Sequence, residues 1–312
     1  MTDQPVSEDG VPISFAVPIS EPFAQAAAQV LKDVRELADD GFPDSMEGAG
    51  TPFSREAESF WSLPDPVGEA RRSMLGLILE LGQLSWANAL DHVRALEQDI
   101  IMKPPPVWSP LTLGRAVMEN CLLLHYLLDP SISGAKRLAR WAGLRHTDIE
   151  HMEKTAVAFG PEQVARVAEL KTQVQRGLVD VGATECSNPN GRVVGYEVDH
   201  ERAGLDINLT EEAKALPAYL LVPYRVLSGA AHGRPWMTGR ARELAQGTGE
   251  PLAGEAATVM HAVMAVIGSL ETALVAWQDY CGADLSDTLQ GLLDRRMTFF
   301  IDAVGLTHEE MP

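Results

Sequence analysis

The chain is 312 residues long, 46% apolar, 22% charged and only 6% aromatic, which excludes a disordered, collagenous or membrane-embedded protein. Twenty-five basic against 44 acidic residues give a formal charge of −19, so non-specific attraction to nucleic acid or to an anionic membrane is disfavoured for the molecule as a whole. Three scattered cysteines, Cys121, Cys186 and Cys281, provide neither a disulfide framework nor a zinc-binding spacing.

The charge is unevenly distributed. Residues 1–66 carry 3 basic and 13 acidic groups, residues 251–312 carry 2 and 9, and residues 131–180 carry 8 and 6. The middle is thus the one basic stretch, and the acidic ends read as solubility devices. Met1–Pro12 lacks both a basic and an apolar signal region. The most apolar windows, Met74–Leu90 and Ala256–Trp277, are interrupted by Glu80 and by His261 and Glu271, as core helices are. A reduced, cytoplasmic chain with no membrane partner is the expectation.

Helical periodicity runs through most of the sequence. Residues 1–18 read as an arm, Glu21–Asp40 as an alanine-rich helix, and Gly41–Pro66 as a connector pinned by Phe42, Phe53, Phe60 and Trp61. A long helix is predicted from Pro66 to about Ile101, its first half apolar nearly all round through Met74, Leu75, Leu77, Ile78, Leu79 and Leu81, as expected of a central buried helix. Ser109-Pro110 reads as an N-cap and first-turn proline, opening a helix that ends at Asp129-Pro130. Ile132–Phe159 is the basic helical region. Gly160-Pro161 separates it from Glu162–Val181, whose buried face should carry Val164, Val167, Val174, Leu178 and Val181.

Gly182–Leu209 breaks the pattern and reads as a surface loop with room for one small hairpin after Asn188-Pro189-Asn190-Gly191. Helices resume at Thr210 and reach His232-Gly233, where Gly233 suits the position just past a helix end. Val259, Val263, Val266, Ile267, Leu270, Leu274 and Trp277 mark a strong helix closing near Gly282, and Ser286–Val304 is the last. The fold class is all-α: a multi-helix bundle with an extended N-terminal arm and one irregular loop or small hairpin insertion. It divides into an acidic arm, helix and connector over 1–66 and a helical bundle over 67–312.

The most specific short segment is Tyr224-Arg225-Val226-Leu227-Ser228-Gly229-Ala230-Ala231-His232-Gly233. Arg225 and His232 fall within about 20° of each other on one helix face, about 10 Å apart along the axis, with Ser228 between them. The small residues leave that helix thin. A guanidinium that neutralises phosphorane charge and an imidazole that moves protons near neutral pH are the groups that phosphodiester cleavage needs. The bland reading is a helix-terminal histidine and an arginine paired with a carboxylate such as Glu119.

This Arg-x6-His spacing on a late helix resembles the HEPN superfamily, helical proteins that include metal-independent ribonucleases with an Arg-x4–6-His motif. The wording Tyr-Arg-x-Leu-Ser-x-x-x-His-Gly also resembles uncharacterised helical proteins of actinobacterial type, with Ala89-Leu90-Asp91-His92 and Arg115–Tyr126 followed by Leu-Leu-Asp-Pro as further matching segments. The resemblance implies an endoribonuclease of toxin or defence type, catalytic at Arg225 and His232, with Tyr224, Ser228 and Arg234 as local support for substrate. Val226 stands where the ribonucleases usually carry a polar residue. RNA, a second copy of the chain whose motif helix faces the first, and an antitoxin-type protein are the implied partners. No cofactor and no metal are called for. The alternative class is a non-catalytic binding or dimerisation module.

Arg145-His146-Thr147-Asp148-Ile149-Glu150-His151 is a second match to the motif, but six positions turn Arg145 and His151 about 120° apart. A solvated charged face accounts for it. Asp91, His92, Glu119, His125 and His232 are the residues a bundle metal would use, yet Glu-x-x-His occurs only at Glu197–His200, in the loop, with Asp148–His151 as a shorter analogue. Asp39, Asp40 and Asp44 read as helix-end and turn chemistry. Dinucleotide, P-loop, zincin and nucleophile-elbow motifs do not occur.

Overall fold

Serine, proline and glycine set most of the helix boundaries. The computed structural model describes residues 19–42, 48–104, 106–217, 220–234 and 255–309. Among these, α1 spans Glu21–Gly41, α2 Pro52–Trp61, α3 Val67–Ile100, α4 Ser109–Leu128, α5 Gly134–Phe159 and α6 Pro161–Asp180. Strands β1 (Thr184–Ser187), β2 (Val193–Val198) and β3 (Glu201–Gly204) follow. Then come α7 (Leu209–Glu212), a tight turn over Ala213–Ala215, α8 (Leu221–Ala231), α9 (Ala256–Cys281) and α10 (Ser286–Glu309). The architecture is an all-α bundle with a small inserted sheet. The expected arm, residues 1–18, lies outside the described residues.

The Ser20 hydroxyl accepts from the Phe23 amide at 3.3 Å and that of Ser133 from the Lys136 amide at 3.1 Å, satisfying first-turn donors of α1 and α5. Pro161 opens α6 behind Gly160. At α4 the expected cap shifts by one residue: Trp108 holds the N-cap position and Ser109 is already helical. The connector is also more ordered than its composition suggests. It contains α2, capped by Thr51, whose hydroxyl accepts from the Ser54 amide at 3.1 Å ahead of Pro52. Phe42 lies 5.1 Å from Trp86 and 4.5 Å from Trp277, Phe53 meets Tyr280 edge-on, and Phe60 is buried. Trp61 is the exception. It stays exposed, with the Arg72 guanidinium 3.7 Å over its ring.

The core forms where α4 lies between α3 and α9, with α1 laid over α3 and α10. Val259, Val263, Val266, Ile267, Leu270, Leu274 and Trp277 of α9 are all fully buried, each aliphatic side chain stabilising by roughly 1.5–3 kcal/mol. Among the described residues α9 alone is long and apolar enough to cross a membrane, and it is enclosed by the bundle as a core helix is. Two burial expectations fail. In α3, Leu77 is exposed, as is Leu84 one turn pair further on. In α6 only Val167 and Leu178, and Val181 just past its end, are buried, while Val164 is exposed. The reason is shared: α6 packs chiefly on α5 and much less on α3, and a cleft separates Leu77 and Leu84 of α3 from Leu170 and Val174 of α6.

The segment read as a loop with room for one small hairpin is a three-stranded antiparallel sheet in the order β1-β2-β3, one strand more than a hairpin. The Asn188 side-chain oxygen accepts from the Asn190 and Arg192 amides to close the first turn. Asp199 and His200, both with positive φ, form the two-residue second turn, as a hairpin of this twist requires. Two buried arginines fasten the outlying parts to the bundle. Arg71 of α3 donates to both Asp199 oxygens at 2.6 and 2.9 Å and to the Val181 carbonyl at 3.1 Å, holding the sheet. Arg137 of α5 is fully enclosed: it donates to both Glu56 oxygens of α2 and to the Leu127 and Asp129 carbonyls, 4.0 Å from the Tyr280 ring. The Tyr280 hydroxyl completes the set by donating to Glu56 at 2.8 Å. Gly143 lets α5 lie directly on β3, where any Cβ would strike the Gly204 carbonyl.

Candidate functional site

Helix α8 lies across α4 and α9 because one of its faces is apolar. Leu227 is fully buried with Leu220 just before the helix, in a small cluster with Leu111, Met118 and Leu122 of α4 and Ala265 of α9. Tyr224, Val226 and Ala230 flank that contact half-buried. The outward face carries Arg225 and His232, and both are exposed. Neither side chain makes a hydrogen bond or ion pair with a described residue.

The end of α8 is built as its sequence indicates. Gly233 takes φ +57°, its amide donates to the Ala230 carbonyl, and the Arg234 amide donates to that of Gly229, both at 2.9 Å. This closure satisfies the last carbonyls of the helix and leaves His232 at the C-cap position with its ring in solvent. Ser228 is half-buried between the two groups, and its carbonyl accepts from the His232 amide at 3.2 Å and from Arg115 of α4 at 3.5 Å. Arg234 is exposed.

The suggested pairing of Arg225 with Glu119 does not form. Glu119 is taken by Arg115, one turn away on its own helix, at 2.5 Å. The five residues of the motif therefore occupy one helix and its end, with Arg225 and His232 outermost and Tyr224 turned toward the bundle.

The second motif separates as its spacing predicts. Arg145 pairs with Asp148 at 3.1 Å and borders an apolar cleft of about 410 Å³ between α3, α5 and α6, which the exposed Leu77 and Leu84 also line. His151 is exposed. His146 instead enters a small cavity of about 100 Å³ between α5, α6 and β2. There its Nδ1 lies 3.0 Å from the Tyr196 hydroxyl, which donates to Glu185 at 3.4 Å. Burial, with Glu185 beside it, pushes the Tyr196 phenol up to about 12, so it remains a donor. Lys171 and Glu153 close the rim as an ion pair at 2.9 Å. Only the alternating pattern over Arg192–Val198 could have hinted at Tyr196, since His146 lies fifty residues away and Glu185 eleven, on a neighbouring strand.

The residues proposed for a bundle metal stay apart. Asp91 is exposed, His92 half-buried, Glu119 occupied by Arg115, and His125 3.6 Å from Glu212 of α7. Glu197 and His200 share an exposed ion pair at the second sheet turn. Asp44 lies outside the described residues. Among the described residues no group of three or more histidine, cysteine or acidic side chains is placed to hold a metal ion. Of the cysteines, Cys121 and Cys281 are buried, and burial raises both thiols, Cys281 to about 12; Cys186 is half-exposed. Comparison with protein-family models, with curated proteins and with solved structures finds no match to the chain.

Proposed function

We propose that the chain is a HEPN-like, metal-independent endoribonuclease of toxin or defence type, acting in the cytoplasm, with Arg225 and His232 as its working pair. One observation carries this reading. On a molecule whose arginines near α4 and α5 are engaged by carboxylates and carbonyls, α8 holds a guanidinium and an imidazole in solvent without a described partner. A cation kept unpaired at a helix surface is available to a phosphate.

The chemistry runs as an internal transfer. His232 takes the proton from a ribose 2′-hydroxyl, whose oxygen bonds to the adjacent phosphorus. The bond from phosphorus to the 5′-oxygen breaks, and that oxygen takes up a proton from the imidazolium of a facing α8 in a second copy of the chain. The products are a 2′,3′-cyclic phosphate and a 5′-hydroxyl, with Arg225 stabilising the charge that accumulates on the equatorial oxygens. Ser228 lies between the two groups and shapes the approach to the phosphate, Tyr224 supports the helix from its bundle side, and Arg234 extends the cationic edge.

The test is direct. Purified protein incubated with single-stranded RNA in excess chelator should cleave it to cyclic-phosphate ends, and His232→Ala should lower the rate about 10²–10⁴-fold. Absence of cleavage, or equal cleavage by the variant, would leave α8 as a packing or docking helix and the chain as a non-catalytic module.

A further inference from the structure

A second cleft lies away from α8, where the end of α4 and the start of α5 meet the sheet. It measures about 490 Å³, and its lining includes Lys136, Arg140 and Arg202 with Tyr126 and Cys186 but no carboxylate. In a chain with a formal charge of −19 this lining is cationic, with Asp129 beside Arg140 and Glu197 beside Arg202 as the nearest carboxylates. The two cavities between α5 and α6 each border glutamates, Glu150 and Glu153 in one and Glu80 in the other.

The cleft is built by the fold. Lys136 and Arg140 stand one helical turn apart on α5 and so share a face, whereas Arg137 between them points into the core. Arg140 is held in place: its guanidinium lies 4.1 Å from the Tyr126 ring, donates to the Tyr126 carbonyl at 2.5 Å and stands 3.6 Å from Asp129. Lys136 donates to the Arg202 carbonyl, bringing the helix and β3 together at the cleft edge. Across the sheet, Cys186 pairs with Gly195 and Gly195 with Gly204, so one row of three strands carries a single short side chain. Arg202 contacts Glu197 in an exposed ion pair, which contributes little and exchanges readily for a stronger anion.

The geometry points to this cleft as a binding site for a phosphate-bearing ligand. Three cations from two elements match a multiply charged oxyanion, and guanidinium forks favour phosphate geometry. The phosphate can come from a free phosphorylated small molecule or from the backbone of single-stranded RNA. The site stands independently of the reading of α8.

The experiment uses the full chain carrying His232→Ala, so that no RNA is consumed, in excess chelator. Inorganic pyrophosphate and a fluorescent decamer of uridylate are titrated separately, and iodoacetamide alkylation of Cys186 is followed by peptide mass. Binding of either probe should slow alkylation of Cys186. Lys136→Gln with Arg202→Gln should weaken that binding about tenfold or more, whereas Arg94→Gln with Lys154→Gln, which removes the same charge elsewhere, should not. Pyrophosphate binding lost in the first pair identifies a small-ligand site; decamer binding alone so lost identifies an RNA tract. No binding of either probe, or binding equally affected by both pairs, overturns the proposal. Thermal unfolding of the variants checks that the fold is intact, as the exposure of Arg202 leads one to expect.

Discussion

Arg137 and Arg225 sit on helices of the same bundle and have opposite surroundings. The guanidinium of Arg137 is fully enclosed and meets a carboxylate, two carbonyls and an aromatic face. That of Arg225 meets no described partner and faces solvent, as does His232 two turns on. A cation sealed in the interior must be paired, because its desolvation is otherwise uncompensated. One left in water carries no such debt and is free to meet a ligand. The contrast separates arginines that hold the fold from the one assigned to chemistry, and it can be attacked from both sides.

The largest effect should come from breaking the interior set. Glu56→Ala removes the carboxylate shared by Arg137 and Tyr280 and leaves a buried guanidinium facing carbonyls alone. Urea unfolding should register a loss of about 3–5 kcal/mol. A loss below about 1 kcal/mol would mean that solvent reaches Arg137, and the contrast with Arg225 would lose its basis.

A smaller effect is expected at Arg71. Its hydrogen bonds, against the opposing pull of partial burial, hold the Asp199 carboxyl below its usual value of 3.8. The folded state thus favours the ionised form. That contribution is fully present above about pH 4 and disappears as pH falls through the depressed folded value. Asp199→Asn should cost about 1–3 kcal/mol at pH 7 by leaving Arg71 underpaired. The gap between variant and parent should narrow below pH 4 in urea titrations run across acid pH. A gap independent of pH would assign the loss to the turn backbone, where residue 199 has φ +47°.

Much of this frame is legible in the sequence because local rules fix it. Gly160-Pro161, Gly233 and Gly282 end or open helices where their backbone freedom and missing donors dictate. The stripe from Val259 to Trp277 is buried because no polar residue interrupts it on that face. What the sequence conceals is tertiary. Leu77 and Val164 satisfy the periodicity of buried positions yet are exposed, since periodicity describes a face without saying how far a neighbouring helix extends. Thr51-Pro52 was a readable start for α2, obscured by the glycines and prolines around it. At the candidate site the row of Arg225, Ser228 and His232 follows from helix geometry alone, and so does the pairing of Glu119 with Arg115, one turn apart on α4, which leaves Arg225 without that carboxylate. The cationic cleft depends on three strands paired across residues 184–204 and on their contact with α5, which a loop with one small hairpin does not foretell.

The smallest expected effect is the most discriminating. Arg225→Ala and His232→Ala each remove a side chain that has no described partner, so each should leave unfolding stability within about 0.5 kcal/mol of the parent. Leu227→Ala, one helical face away, should cost about 2–5 kcal/mol, because Leu227 fills the contact between α8, α4 and α9. The three variants together separate two reasons for losing RNA cleavage. Loss in the stable pair places the chemistry in the guanidinium and the imidazole. Loss confined to Leu227→Ala would mean that α8 matters only through its packing. A drop of 1 kcal/mol or more in Arg225→Ala would reveal a structural contact for that side chain and return it to the class of Arg137.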